Sequence, residues 1–411
     1  MTDREQRGLT IAALCKIKQK GSMWIVPSQS AAKATYKVFQ HEGQPVCTCP
    51  DHEATGQPCK HIFAVQFVVK RETAADGTVT DTRSITITET RKTYSQNWPA
   101  YNAAQVNEKS QFQLLLRDLL QGIEEPTNFG RPRIPLRDSL FAAVFKVYST
   151  VSGRRFMSDL TDAHVKGYIR KLPCYNTIFN VLESEDTFEL LRALVEKSAL
   201  PLKALESHFS CDSSGFSGCR FDRWYDHKWG EHRVMWAWVK AHVMTGAKTN
   251  VVTAVEIFDK DANDGVQLPS LLATTAANFA VKEVSADLAY STKANVAAVD
   301  AINAKPLIPF KRNASPSTGG LWSKLFHYFS LNRAEFDSQY HKRSNIESTF
   351  SMLKAKFGDG VRSKTDMAMK NEVLAKILCH NICCLIQSMY EFGIDPTCWV
   401  DSAVAQQVAP N

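Results

Sequence analysis

The sequence predicts an α/β chain. Its second half builds a mixed-sheet domain, preceded by a small metal-binding module and a helical region. Three observations carry this prediction. From about residue 206, three strand-like runs come in succession and then alternate with helical patterns, the order expected of a mixed sheet with helices on its faces. Residues 47–61, "CTCPDHEATGQPCKH", crowd three cysteines and a histidine into one short stretch. Asp212 and Asp287 each sit at a strand-like run, where aspartate is depleted and needs a reason to be. The 411 residues suffice for two or three domains.

Composition narrows the class. Apolar content of 44% and charged content of 22% are ordinary globular values. No run reads as a membrane span, and the charged start "MTDREQRGLT" has no signal-peptide core. A soluble, cytoplasmic protein with no membrane partner is expected. In a reducing compartment, clustered cysteines suggest metal and scattered ones suggest buried thiols. Net charge is +7, and residues 305–370 hold twelve Lys and Arg against five Asp and Glu. Such a surplus fits a polyanion partner, most often nucleic acid, or a solvated charged face.

Five segments are expected. Residues 1–75 form the metal module: a short helix around "LTIAALCKI", a hairpin from "GSMWIVPSQS" to "TYKVFQ", the Cys/His cluster, and "HIFAVQFVVKRE" as helix or strand. Residues 76–130 read as a linker or arm ending in a short amphipathic helix, "QFQLLLRDLLQGIEE". Residues 131–205 contain four helical pieces: "DSLFAAVFKVYSTV", "DLTDAHVKGYIRKL", "CYNTIFNVLES" and "TFELLRALVEKSAL". They suit either a helix-turn-helix DNA reader or a plain helical packing domain. Residues 206–370 hold the mixed sheet, with strands "SHFSCDSSGF", "HRVMWAWVKAHVM", "TNVVTAVEIFD", "VKEVSADLA" and "KPLIPF", and a long helix from about Glu335 to Lys356. Residues 371–411 form a buried helix and a tail.

In the module, Cys47 and Cys49 are two apart, as are Cys59 and His61. Each pair can aim at one ion, and thiolate plus imidazole in fourfold coordination is zinc chemistry. Asp51, His52, Gly56 and Pro58 suit the intervening loop, with His52 a rival ligand. All four positions are filled by protein, so the expected Zn2+ is structural. The pattern C-x-C, spacer, C-x-H within "W…TYKVF…CTCPDH…G.PCKH" closely resembles the SWIM-type zinc finger, whose role is binding to DNA or protein.

In "YHKRSNIESTFSMLK", a 100° step per residue puts Tyr340, Arg343, Glu347 and Lys354 on one arc of about 60°. Ile346, Phe350, Leu353 and Phe357 fall on a neighbouring apolar stripe. The plain alternative is an amphipathic helix with an Arg343–Glu347 ion pair. A carboxylate at the end of a buried strand faces the crevice where α/β sheets bind ligands. Asp287 also suits a helix N-cap. Three carboxylates from separate elements can hold two divalent ions that activate water at a phosphodiester, and magnesium suits an all-oxygen site.

Taken together, residues 130–390 resemble a DDE-type transposase of bacterial and archaeal insertion sequences, with an RNase H-like core. The spacing of Tyr340, Arg343, Glu347 and Lys354 matches that family's helix signature. Asp212, and Asp287 within "AD-x-x-Y-S", match its acidic positions. The resemblance implies that Asp212, Asp287 and Glu347 hold catalytic Mg2+ or Mn2+, and that Tyr340, Arg343 and Lys354 contact DNA phosphates. It implies cleavage at the element's terminal inverted repeats, transfer of the freed 3′-hydroxyl to target DNA, and a homodimer or higher assembly when two ends are synapsed. No covalent protein–DNA intermediate is needed, so no Ser or Tyr nucleophile is nominated. In some relatives an aromatic residue before the helix stabilises a flipped base. Trp322 is the candidate for that role, or it packs. The segment "RFDRWYDHKWGEHR" (220–233) touches DNA or forms a surface hairpin. A catalytically inactive transposase-derived DNA-binding protein, and an RNase H-like nuclease without strand transfer, are the alternatives.

Overall fold

A computed structural model describes residues 2–28, 34–68, 71–73, 79–81, 97–126, 133–218, 238–259, 263–311, 313–316 and 319–396. The segment 220–233 therefore lies outside the described residues. The chain divides into two units, Met1–Ser95 and Gln96–Asn411.

The first unit opens with α1 (Asp3–Leu14), the short helix expected there, whose start is fixed locally. The cause is a capping box: Thr2 Oγ1 accepts the Glu5 N–H, and the Glu5 carboxylate accepts the Thr2 N–H at 2.7 Å. The expected hairpin is the centre of a four-stranded antiparallel sheet, β1 (Lys18–Lys20), β2 (Met23–Pro27), β3 (Thr35–His41) and β4 (Gln44–Cys47), in sequential order. Helices α2 (Pro50–Thr55) and α3 (Lys60–Val68) follow, so "HIFAVQFV" is helical. Helix α1 lies against α3 at Gly8, where a Cβ would come within 2.6 Å of the Phe63 Cβ and 2.9 Å of the Lys60 carbonyl. A short antiparallel pair, β5 (Arg71–Thr73) and β6 (Val79–Asp81), follows α3.

The second unit begins with α4 (Trp98–Leu120), much longer than the short helix expected. Its first half is polar and largely exposed, so only the stripe Phe112, Leu115, Leu116, Leu119 and Leu120 signals a helix by periodicity. Asn97 starts it, accepting the Ala100 N–H. Next come α5 (Leu136–Ser149), α6 (Gly153–Val165), α7 (Tyr175–Glu183) and α8 (Glu185–Ala199). Helix α6 starts and stops about six residues before "DLTDAHVKGYIRKL" would place it, because Gly167 at φ +77° ends it.

Strands β7 (His208–Ser217), β8 (Trp238–Gly246), β9 (Val252–Asp259), β10 (Glu283–Ala286) and β11 (Lys305–Leu307) form one sheet in the order β9-β8-β7-β10-β11. The first three strands are antiparallel, and β10 runs parallel to both β7 and β11. With α9 (Leu268–Asn278) and α10 (Lys293–Ala301) as crossovers, this is the mixed sheet of an RNase H-like fold.

The long helix expected from Glu335 to Lys356 is broken. Helix α11 (Gly320–Leu331) is followed by α12 (Arg333–Tyr340), a 3-10 turn at His341–Arg343, and α13 (Ser344–Phe357). The break falls where two successive side chains are anchored to the sheet, Lys342 on Glu283 at 3.3 Å and Arg343 on Asp212 at 3.2 Å. The helical wheel thus holds from Arg343 onward and does not extend to Tyr340.

Helix α14 (Asp366–Phe392) is long and apolar enough to cross a membrane, contrary to the expectation from the sequence. Its apolar surface is spent inside the protein, since 78% of the relevant stretch is buried there. One apolar core runs from Ala104 on α4 to Ile386 on α14. Asn381 locks this packing: its amide bonds the Val195 carbonyl, the Ser198 hydroxyl and both backbone groups of Val252.

The neighbouring His380 donates from Nε2 to the Asn250 carbonyl at 2.9 Å. Burial pushes its pKa down from 6.5 to about 4. The unfolded chain therefore takes up a proton near pH 6.5 that the folded chain refuses until about pH 4. Stability is expected to fall as pH drops through that window, by roughly 3 kcal/mol at most. Urea titrations of wild type and His380→Gln across the window test this. An equally steep loss in the variant would assign the effect elsewhere.

Candidate active site and metal centre

In the first unit, Cys47 ends β4, Cys49 precedes α2, and Cys59 and His61 flank the start of α3. All four are buried, and their ligand atoms lie within 4.8 Å of one another. Among the described residues this is the one such set of three or more His, Cys, Asp or Glu. His61 Nε2 is buried without a hydrogen-bond partner, an arrangement that leaves a lone pair or proton uncompensated. The thiols share protons: a hydrogen bond from Cys47 holds Cys59 down at about 3, while the same bond and burial push Cys47 far up. A closed set of three sulfurs and one imidazole fits structural zinc. His52 is turned to the Gln57 carbonyl through Nδ1 at 2.8 Å.

In the second unit the sheet register juxtaposes two aspartates. Pairing of β10 with β7 runs from Glu283↔His208 to Ala286↔Cys211, so Asp287 and Asp212 are next in line on neighbouring parallel strands. Strands so paired lie about 4.8 Å apart, with in-register side chains on the same face. Asp212 is not at the end of its strand, as expected, but in its middle: β7 runs five residues further against β8 after β10 has stopped. Asp287 caps the 3-10 turn Leu288–Tyr290, its carboxylate accepting the Ala289 N–H at 2.8 Å.

Arg343 connects this pair to the helix. Its Nη2 is 3.2 Å from Asp212 Oδ2 and its Nη1 is 3.2 Å from Glu347 Oε1. The other Asp212 oxygen accepts the Ser213 N–H at 2.8 Å. Burial raises the Asp212 pKa, opposed by the Ser213 N–H and Arg343 and reinforced by Asp287 and Asp264. Tyr340 stands beside Arg343, its ring centroid 5.9 Å from the guanidinium carbon. Lys354 donates to Ser214 Oγ at 2.7 Å and lies over the Phe216 ring. Burial lowers its pKa. Ile346, Phe350, Leu353 and Phe357 are buried and dock α13.

The six side chains picked out in the sequence therefore share one region, but Asp212, Asp287 and Glu347 do not converge within 4.8 Å as the cysteines do. Glu347 is 66% exposed and is held by Arg343. The oxygen-only donor set and the cost of burying Asp212 suit hard divalent cations. Trp322 packs edge-on against Phe310 at 4.7 Å and bonds the Ser315 carbonyl through Nε1. A groove of about 960 Å³ in the helical region, lined by Arg117, Arg137, Tyr168 and Arg170, contains none of the carboxylate site.

Sequence reading missed three contributors. Ser214 and Phe216 follow Asp212 at i+2 and i+4, so strand alternation puts them on its face, a signal that was available. Asp264 lies behind β7 and accepts from Ser213 Oγ at 3.0 Å and from Lys240 at 2.5 Å. Nothing local in "NDGV" marks it, because its partners come from two strands.

Fold and side chains together define a mixed α/β domain of RNase H-like architecture with carboxylates and basic groups gathered beside its sheet. Residues 203–382, somewhat under half of the chain, match the family model described as "Transposase DDE domain". Domains of that family use divalent metal and act on DNA. No curated protein matches the chain.

Proposed function

We propose that the protein is an active transposase that binds the ends of an insertion sequence, cleaves there and transfers the freed strand to target DNA. The observation that carries this reading is the linked trio: Asp212 in register with Asp287, and tied through Arg343 to Glu347. Asp212, Asp287 and Glu347 would hold divalent ions, Mg2+ or Mn2+. When bound, these ions supply water activation and charge stabilisation at phosphorus. Asp212 presents its Oδ2 on the open side of β7 while the Ser213 N–H fixes its orientation. Arg343 and Lys354 offer charge-assisted hydrogen bonds to phosphate oxygens, and Tyr340 offers a hydroxyl and a stacking face.

The Cys47–Cys49–Cys59–His61 centre, of SWIM type, holds structural Zn2+ and presents the first unit for end recognition. Two ends imply at least a homodimer on DNA. Trp322, half-buried against Phe310, acts in packing.

The test uses purified full-length chain, the element's terminal DNA, supercoiled target and Mg2+, with Glu347→Gln alongside. Cleavage plus joined product in wild type, lost in the variant, supports the reading. Cleavage without joining would indicate a nuclease. Binding with no cleavage in either protein would indicate a transposase-derived DNA-binding protein.

A further inference from the structure

We propose that Arg343 is the site's own counter-cation, which divalent ions must displace, so that DNA phosphate promotes metal binding by drawing the guanidinium away. This rests on reading Asp212, Asp287 and Glu347 as the metal-holding trio. One guanidinium contacts two of the three carboxylates, through Nη2 to Asp212 and Nη1 to Glu347, each at 3.2 Å. It therefore occupies the position between sheet and α13 that a cation shared by those two residues needs. The arginine side chain is only 18% exposed, so its charge is weakly screened. An ion bound to the same oxygens at roughly 2.1 Å meets both a steric and a like-charge conflict with it.

The pose also leaves the arginine incompletely used. Among the described residues its buried Nε has no hydrogen-bond partner. A phosphate can take the guanidinium edge in a paired geometry that includes such a donor. Leaving the carboxylates thus costs Arg343 two contacts, and a phosphate replaces them while satisfying the third donor. Glu347, largely exposed, is then free to turn toward Asp212. Lys354 does not duplicate this role, because its ammonium faces Ser214 and Phe216. Arginine stays charged across the accessible pH range, so the coupling follows DNA and not protons. By reciprocity, metal must raise DNA affinity by the same factor that DNA raises metal affinity. The consequence is a site that binds its ions more tightly at the element's ends than elsewhere.

The test measures Mn2+ binding by electron paramagnetic resonance, with and without a duplex carrying the element's terminal sequence. Wild type is expected to bind Mn2+ about 10-fold more tightly with DNA, within the usual range of such couplings. Arg343→Gln without DNA is expected to match wild type with DNA and to gain nothing further. Lys342→Gln, which removes an equal charge paired with Glu283 and not with the trio, should leave DNA-free affinity unchanged. Unchanged or weaker Mn2+ binding in Arg343→Gln, with native circular dichroism, overturns the inference. So does an equal gain in Lys342→Gln, which would reduce the effect to net charge. Asp212→Asn separates the two levels: if it leaves Mn2+ binding intact in every condition, the carboxylate reading itself fails.

Discussion

Asp212→Asn is expected to abolish DNA cleavage and strand transfer without lowering the melting temperature. Asp212 links the site: Asp287 is next to it by strand register, Arg343 joins it to Glu347, and the Ser213 N–H orients it. An amide keeps the shape and can still accept the Ser213 N–H, but it supplies no charge to a divalent ion. The expected loss is roughly 10³-fold or more, the scale of removing a preorganised charge that acts on a transition state. The stability expectation follows from the raised Asp212 pKa. Burial, with Asp287 and Asp264 nearby, makes the ionised form costly in the folded state near neutral pH. Replacing it removes that cost while giving up one partly buried contact to Arg343, so the melting temperature should stay level or rise. Sites held for function are commonly not optimal for stability. Calorimetry and the cleavage assay on one preparation check both halves. A variant that cleaves normally would remove Asp212 from the chemistry, and a large drop in melting temperature would make it structural.

Zinc removal is expected to unfold the first unit and leave the second intact. Among the described residues the module's buried apolar cluster has nine members, and Cys47, Cys49 and Cys59 are three of them. The others, among them Ile11, Val26, Val38 and Ile62, make a core too small for stability without a staple. Structural zinc in comparable small modules contributes about 10–16 kcal/mol near neutral pH. Without the ion, three crowded thiols share protons and His61 Nε2 has no partner. Hydrogen exchange with and without a strong chelator reads the outcome. Peptides from α1, β2, β3 and α3 should lose protection, while those from α14 and β7 should keep it. Cys59→Ser should reproduce the chelated pattern. Retained protection in the first unit would show that the apolar cluster holds the module alone. If such a variant bound the element's ends normally yet failed to cleave, the division of labour between the units would be wrong.

The zinc ligands were legible because they are local: two C-x-C or C-x-H pairs carry their own geometry, and fifteen residues contain all four. Strand order was legible because alternation and turn residues act within each element. The elements misread were those whose limits depend on something distant. Helix α4 extends through a polar stretch that no periodicity marks. Helix α14 is buried, as its sequence suggests, with its apolar surface covered by α4, α5, α7 and α8. The helix expected around Tyr340 breaks where Lys342 and Arg343 meet the sheet.

The sequence alone determined which side chains are candidates for the chemistry, since residue type and spacing along the chain set donor type, charge and helical face. It singled out Asp212, Asp287, Tyr340, Arg343, Glu347 and Lys354 without coordinates. Only the tertiary structure decided how these groups meet. Parallel pairing of β10 with β7 aligns Asp287 with Asp212 across 75 positions of chain. Arg343 spans from α13 to β7, and Asp264 stands behind the site through contacts to β7 and β8. Those relations depend on strand register and helix docking, which are fixed by burial of apolar faces far from the charges themselves.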